Sequence, residues 1–320
     1  MRVKRTTLAL IALPVLAAVV LGGLALALRK TTVPPLTPSA HKSIGARRAR
    51  TLACQHPLHA PFTGVATNPL IGAHVKSFEQ ATGSHLQIVE YYNSFSTKFQ
   101  SWEAKQVIAL GALPFIQLNP RHVSLTAIAA GKYDAQIRTY ADAVRAFRCT
   151  VMISFGHEMN GWWYPWGRPD TTPATFIAAW RHIYRIFARQ HVLNVIWSWD
   201  PTHQYNFKVA SLASEWYPGN AYVDIVGIDG YLGHGQNFKE IFARQLANIR
   251  SVTSKPVFLA ETGVAGGIHQ ARQIANLFAS LRSYHLSGLV WFDLNRKQPW
   301  RLEGRPTALA AYRKAIKGLS

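Results

Sequence analysis

The sequence predicts a single (β/α)8 TIM barrel of the α/β class, and three observations predict it. After about residue 60, short apolar runs alternate with longer amphipathic ones eight times. Glu158, Asp200, Asp229, Glu261 and Asp293 each come just behind an apolar run. In such a barrel that position is the C-terminal rim, where chemistry is built. Finally, 48% of the 320 residues are hydrophobic, enough to fill one large core.

The first strand is Gly64-Val65-Ala66, and the first helix covers about 71–82. Leu86 to Tyr91 is followed by 100–111, and Pro114 to Leu118 by 132–147. In that third helix Tyr133, Ile137, Tyr140, Ala141 and Val144 recur at helical spacing. Thr150 to Phe155 leads to 173–190, Asn194 to Ser198 to 206–216, and Asp224 to Ile228 to 237–252. Phe238, Ile241, Phe242, Leu246 and Ile249 mark one face of the sixth helix. Val257 to Ala260 with 269–284, and Gly288 to Trp291 with 306–317, complete the eight units. No glycine-rich phosphate loop opens the first helix, which counts against a nucleotide-binding sheet.

Residues 1–30 read as a signal peptide or membrane anchor. Leu8 to Leu28 is a run of 21 uncharged residues behind Arg2, Lys4 and Arg5, long enough to span a bilayer. Ala25-Leu26-Ala27 offers a small-x-small cleavage pattern, so anchor and cleaved signal both stay open. Either one places the body outside the cytoplasm, extracellular or tethered to the membrane through residues 8–28. Residues 31–55 form a basic linker rich in Pro, Thr and Ala, and 56–320 form the barrel domain. Outside the cytoplasm Cys54 and Cys149 are able to pair, although nothing in the sequence shows that they are close. No Cys/His cluster suggests a metal, and no cofactor is called for.

The formal charge is +20, but residues 1–50 hold nine Lys and Arg and no acid, which leaves the rest at +11. No basic element with interleaved aromatics appears, so a nucleic-acid partner is not expected. A monomer is the expected state.

Two segments carry the chemistry. Ile153-Ser154-Phe155-Gly156-His157-Glu158-Met159-Asn160-Gly161-Trp162-Trp163-Tyr164-Pro165-Trp166-Gly167 is a strand ending in a carboxylate, with aromatics crowded behind it. Val257-Phe258-Leu259-Ala260-Glu261-Thr262-Gly263 is a second strand ending in Glu. Hydrolysing a glycosidic bond needs one carboxylic acid to protonate the leaving oxygen. A second carboxylate then attacks the anomeric carbon or activates water. A structural ion pair is the bland alternative for both Glu residues.

His-Glu-Met-Asn-Gly-Trp-Trp-Tyr-Pro-Trp-Gly resembles the acid/base motif of glycoside hydrolase family 26, the β-mannanase family. Ala-Glu-Thr-Gly resembles its nucleophile strand, and Val226-Gly227-Ile228-Asp229-Gly230-Tyr231 its strand-six signature. The resemblance implies a retaining, endo-acting hydrolase of β-linked polysaccharide, with β-1,4-mannan as the first substrate. It implies Glu158 as general acid/base and Glu261 as nucleophile, with Tyr231 donating a hydrogen bond to the latter. His157 would contact substrate and the acid/base. Trp163 and Trp166 match aromatic positions of the motif, and Trp291 the strand-eight Trp that floors the cleaved sugar's subsite. Asn160 binds substrate or shapes the Gly161 turn, Asp229 positions Tyr231 or a loop, and Trp162 either packs in the core or meets sugar. Asp200 either binds a distal hydroxyl or caps the loop before Pro201.

The chain departs from the family where Phe292 and Asp293 follow the strand-eight Trp, and where Gln117-Leu118-Asn119-Pro120 lacks the His expected for mannose recognition. Those positions separate mannose from glucose, so mixed-linkage β-glucan and β-1,3-xylan stand as alternative substrates. A non-catalytic or weakly catalytic cell-surface carbohydrate-binding barrel is the reading from a different class, but a binder needs neither Glu.

Overall fold

The computed structural model describes Cys54 and residues 57–203, 211–296 and 298–319. The leader and nearly all of the linker lie outside the described residues. Among the described residues no helix is long and apolar enough to cross a membrane, and the run 8–28 is not one of them.

Eight strands alternate with helices in the predicted order. They are β1 (Phe62–Ala66), α1 (Gly72–Thr82), β2 (Ile88–Ser94), α2 (Ser101–Ala109), β3 (Leu113–Asn119), α3 (Leu125–Ala129), α4 (Asp134–Phe147) and β4 (Val151–Phe155). Then follow α5 (Pro173–Arg189), β5 (Val195–Trp199), β6 (Ile225–Leu232), α6 (Phe238–Arg250), β7 (Val257–Val264), α7 (Gln270–Ser283), β8 (Gly288–Phe292) and α8 (Pro306–Lys317). The strands close into a parallel barrel in sequence order, with β1 sealed against β8 in the register Phe62↔Gly288.

Side chains alternate along each strand, so one set fills the barrel and the other meets the helices. The inner set changes character along the axis. Ile88, Phe115, Met152 and Ile196 belong to the apolar floor. Two residues further on, the same strands present Glu90, Gln117, Ser154 and Ser198, all buried. Tyr92, Asn119 and Asp200 come next, at the mouth. The apolar lower half is packed core; the upper half is where polar side chains converge.

Three departures from the predicted elements have physical causes. The expected helix at 206–216 appears as one 3-10 turn, Ala213–Trp216, with 204–210 outside the described residues. Ser211 spends its backbone on tertiary bonds instead: its N–H donates to Asn160 O (2.9 Å) and its carbonyl accepts from Asn160 Nδ2 (3.2 Å). The short helix α3 was not expected, and Ser124 caps it by accepting from Ala127 N. Strands β6 and β7 run past their predicted ends, because they pair with each other as far as Leu232↔Val264.

Cys54 and Cys149 form a disulfide that spans 95 residues and staples the segment ahead of β1 to the start of β4. Closing a loop of that length stabilises a fold by about 4–5 kcal/mol on the chain-entropy account.

Candidate active site

The polar half of the barrel holds five carboxyl groups and no buried Lys or Arg among the described residues. The Gln117 amide links two of them: its Nε2 donates to Glu90 Oε1 (2.6 Å) and to Asp200 Oδ2 (3.0 Å). Asp200 also accepts from Ser198 Oγ and from Gly227 N (3.1 Å). Gly227 has to be glycine, since a Cβ there would collide with Asp200 and Ala260. Burial pushes Asp200 up to about 6, although these donors oppose the rise. Burial, then the charge of Glu261, holds Glu90 far above the ordinary carboxylate range.

Glu158 stands above this layer on the loop that leaves β4. Its backbone adopts φ 54°, a left-handed conformation that is strained for a residue with a side chain. A 2.7 Å bond from its N–H to Asp200 O holds it there. Trp163, five residues on, donates its indole N–H to Glu158 Oε2 at 2.6 Å. Burial first, then the negative charge of Glu261, pushes Glu158 up to about 8. Its resting form at neutral pH is therefore the acid.

Glu261 lies within β7 rather than behind it. The register slips between Ile228↔Leu259 and Asp229↔Glu261, so β7 carries one extra residue at this point. Such a bulge re-aims a side chain, and here Glu261 turns into the barrel opposite Asp229. Tyr92 donates to its Oε1 at 2.6 Å and Tyr231 to its Oε2 at 2.5 Å. Burial raises Glu261 as well, but both phenols and the nearby Arg296 pull it back. The two carboxyls are thus driven apart: Glu158 is the member that keeps the proton, and Glu261 is the member whose anion is solvated by O–H groups.

His157 is fully enclosed. Its Nδ1 donates to Asn119 Oδ1 (3.0 Å), leaving Nε2 to accept from the Tyr164 hydroxyl (3.2 Å). Burial, then Arg121, lowers it to about 3, so the ring is neutral. Its Nε2 lies 3.9 Å from Glu261 Oε1, which places it beside that carboxylate rather than beside Glu158 as expected.

Three residues expected to meet substrate do other work. Trp166 is buried, donates its indole N–H to His157 O (2.7 Å) and stacks on Tyr164 at 4.4 Å. It braces the His157 backbone. Asn160 is buried and its amide is fully engaged, accepting from Thr202 N and donating to Thr202 O and Ser211 O, so it clamps the β4 loop to the β5 loop. It also lies within the turn closed by Gly161 N donating to Glu158 O at 2.9 Å. Trp291 is wholly buried with its ring edge-on to Tyr312, and its N–H donates to Trp300 O (3.1 Å).

Trp300, half-buried, takes the place expected for Trp291. It stacks on Tyr231 with centroids 4.7 Å apart and covers Gly263, whose missing side chain makes room for the indole. Asp229 is buried with neither carboxyl oxygen hydrogen-bonded among the described residues. Burial, then the charges of Glu261 and Glu158, raises it well above its ordinary value. Its backbone positions the β5 loop by accepting from His203 N (2.7 Å). Trp162 is exposed, not packed in the core.

Sequence reasoning missed Tyr92, Tyr164 and Trp300, and named Gln117 and Asn119 only within a departure from the family pattern. For Tyr92 and Gln117 the signal was present, since they lie four and two residues beyond the inward apolar positions Ile88 and Phe115 on their strands. Trp300 follows β8 by eight residues and left none.

Among the described residues, two groups bring metal-capable donors within 4.8 Å of one another: His157, Asp229 and Glu261, and His74, Asp293 and Glu303. In the first, both oxygens of Glu261 already accept phenol protons. In the second, Arg301 already supplies the cation, 3.1 Å from Glu303 Oε1.

The family model for glycosyl hydrolase family 26 matches residues 75–297. The chain belongs to glycosyl hydrolase family 26. Endoglucanase H of Acetivibrio thermocellus is 35% identical over 270 residues, covering 79% of this chain and 30% of that protein. A mannan endo-1,4-beta-mannosidase A and B of Caldalkalibacillus mannanilyticus is 36% identical over 167 residues, covering 48% of this chain and 31% of that one. The match thus spans about a third of the length of either relative. Among solved structures, an endo-beta-1,4-mannanase double mutant from Cellulomonas fimi superposes with a TM-score of 0.63 at 16% identity, covering 80% of this chain and 70% of that one. At that identity the likeness speaks for the family 26 barrel fold alone.

Proposed function

We propose that this family 26 chain is an endo-acting glycoside hydrolase that cleaves β-linked polysaccharide, β-1,4-mannan first, with retention of configuration. One observation carries the reading: two buried carboxyls at the barrel mouth sit in different environments, one favouring the acid and the other donating two phenol O–H bonds to the anion. Glu158, pushed up to about 8, holds the proton the leaving oxygen needs. Glu261, with a phenol on each oxygen, holds an anion aimed into the same cavity.

In the first step Glu158 gives its proton to the glycosidic oxygen as a Glu261 oxygen attacks the anomeric carbon. The C–O bond to the leaving sugar breaks and a glycosyl ester forms. In the second step the Glu158 carboxylate takes a proton from water, the water oxygen attacks the same carbon, and Glu261 leaves as a carboxylate. The phenols stabilise that carboxylate before attack and after release. Trp300, stacked on Tyr231, offers a floor for the sugar whose bond is cleaved.

Mannan is favoured by the names of several relatives, whereas endoglucanase H, matched over 270 residues, favours β-glucan as the second substrate. The same reading places the barrel outside the cytoplasm as a monomer, tethered or released. The Cys54–Cys149 disulfide and the apolar leader support that location. A binding barrel without chemistry would leave the different environments of Glu158 and Glu261 without a purpose.

The test is digestion of galactomannan, glucomannan, mixed-linkage β-glucan and β-1,3-xylan, with products resolved by size and Glu261→Ala as control. Oligosaccharides from one polymer, absent with the variant, are expected. Equal turnover by Glu261→Ala, or no cleavage of any polymer, would overturn the reading.

A further inference from the structure

Among the described residues, five large hydrophobic side chains are exposed: Ile71, Trp102, Trp162, Trp163 and Ile268. All five lie on the C-terminal side of the barrel. Ile71 precedes α1, Trp102 sits in the first turn of α2, Trp162 and Trp163 lie on the loop between β4 and α5, and Ile268 lies between β7 and α7. The helix bodies and the opposite face contribute none. Leaving an indole in water forgoes a large burial gain, so confinement to the rim that holds the site points to a ligand there.

Trp163 is accounted for by its bond to Glu158. Trp102 is not, and it is 56% exposed. Its ring is nevertheless oriented, because its indole N–H donates to Gln100 Oε1 at 3.0 Å. Its neighbour Glu103 accepts from Asn93 Nδ2 at 2.9 Å, and Asn93 directly follows Tyr92, the residue that touches Glu261. The first turn of α2 is therefore pinned to the end of β2 that serves the nucleophile. On the same sector, Gly72 beside Ile71 lies against Gln106 of α2, where a Cβ would stand 3.6 Å from Oε1.

We propose that Trp102, with Ile71 ahead of α1 on the same rim, is a remote platform for the polysaccharide, stacking a sugar ring of the bound chain some residues away from the cleaved bond. It rests on the hydrolase reading for its ligand class. A pyranose ring presents C–H groups on its faces, and a flat indole held by one hydrogen bond matches them. One tryptophan and one isoleucine are too small a patch for a stable protein interface, which needs several hundred Å² on each partner, whereas a polymer gains from each further ring it engages.

Binding is measured by retardation in gels cast with each of the four polymers, using full-length Glu261→Gln so that hydrolysis does not interfere. In that background Trp102→Ala is expected to weaken retention of the bound polymer about three- to tenfold, and Trp102→Phe to keep most of it. Unfolding temperatures should agree among the three proteins, because the side chain is mostly in water. Retention unchanged in Trp102→Ala would overturn the platform, as would failure of the parent to bind any of the four polymers. If the unsubstituted chain binds but does not cleave, the hydrolase reading fails while the platform is still decided by Trp102→Ala alone.

Discussion

The exits of β4 and β8 both place a tryptophan at the barrel mouth, yet they are held in opposite ways. Behind β4 the partners are close in sequence: Trp163 bonds Glu158 five residues back, and Trp166 bonds the His157 carbonyl nine residues back. Behind β8 the loop is held from the far end of the domain. Asp293 is fully buried; its Oδ2 meets His74 Nε2 of α1 at 2.7 Å, and its Oδ1 accepts from Leu302 N at 3.2 Å. Arg301 bonds Glu303 at 3.1 Å beside that pair. The β4 exit adds these local bonds to its ties with the β5 loop, whereas the β8 exit borrows support from a residue 219 positions away. Damage to the first should therefore read out in the chemistry, and damage to the second in stability and substrate hold.

The largest effect is expected at the β4 exit. Glu158→Gln removes the proton donor and keeps the shape, so kcat/KM on unactivated polymer should fall about 10²–10⁴-fold. On an aryl glycoside with an acidic leaving group, which needs little protonation, the loss in the first step should be much smaller. The unfolding temperature should not fall, since Gln is neutral like the protonated Glu158 and avoids the cost of taking up a proton on folding. Equal losses on both substrates would sink the acid assignment.

At the β8 exit the same logic predicts the reverse pattern. His74→Ala strips a buried carboxylate of one hydrogen-bond partner, at a cost of about 1.5–3 kcal/mol. Calorimetry should show a lowered unfolding temperature. The loop bearing Trp300 should loosen, so KM for polymer rises more than kcat falls. If stability and KM both matched the parent, the long-range brace would be no brace.

This contrast also decides what could be read from the chain. The eight-unit alternation and the β4 exit were legible because their determinants are local: strand and helix periods, and a motif whose members contact one another within ten residues. Glu261 was legible as a strand-end acid, but its aim depends on a bulge between β6 and β7 that no local pattern announces. Trp291 and Trp300 were confused because sequence shows that a tryptophan ends the strand, not whether its ring turns toward Tyr312 in the core or toward the cavity. Trp166 and Asn160 misled for a related reason. They share the motif with Glu158, and what they bond, the His157 carbonyl and the β5 loop, is fixed only once the barrel closes.

The smallest effect tests the local support of the β4 exit most closely. Trp163 donates to Glu158 Oε2, and a donor favours the ionised form, so this bond lowers the Glu158 pKa against burial and the charge of Glu261. Trp163→Phe keeps a ring and deletes the N–H, so the pKa should move further up from about 8. The alkaline limb of kcat/KM reports loss of the proton from the free enzyme's acid. It should therefore shift to higher pH, while the plateau below it changes little. Trp291→Phe, at the other exit, deletes an N–H that reaches only the Trp300 carbonyl and should leave the limb in place. A pH profile of the three proteins separates the outcomes: a limb that stays fixed or moves down in Trp163→Phe would show that the indole does not tune the acid.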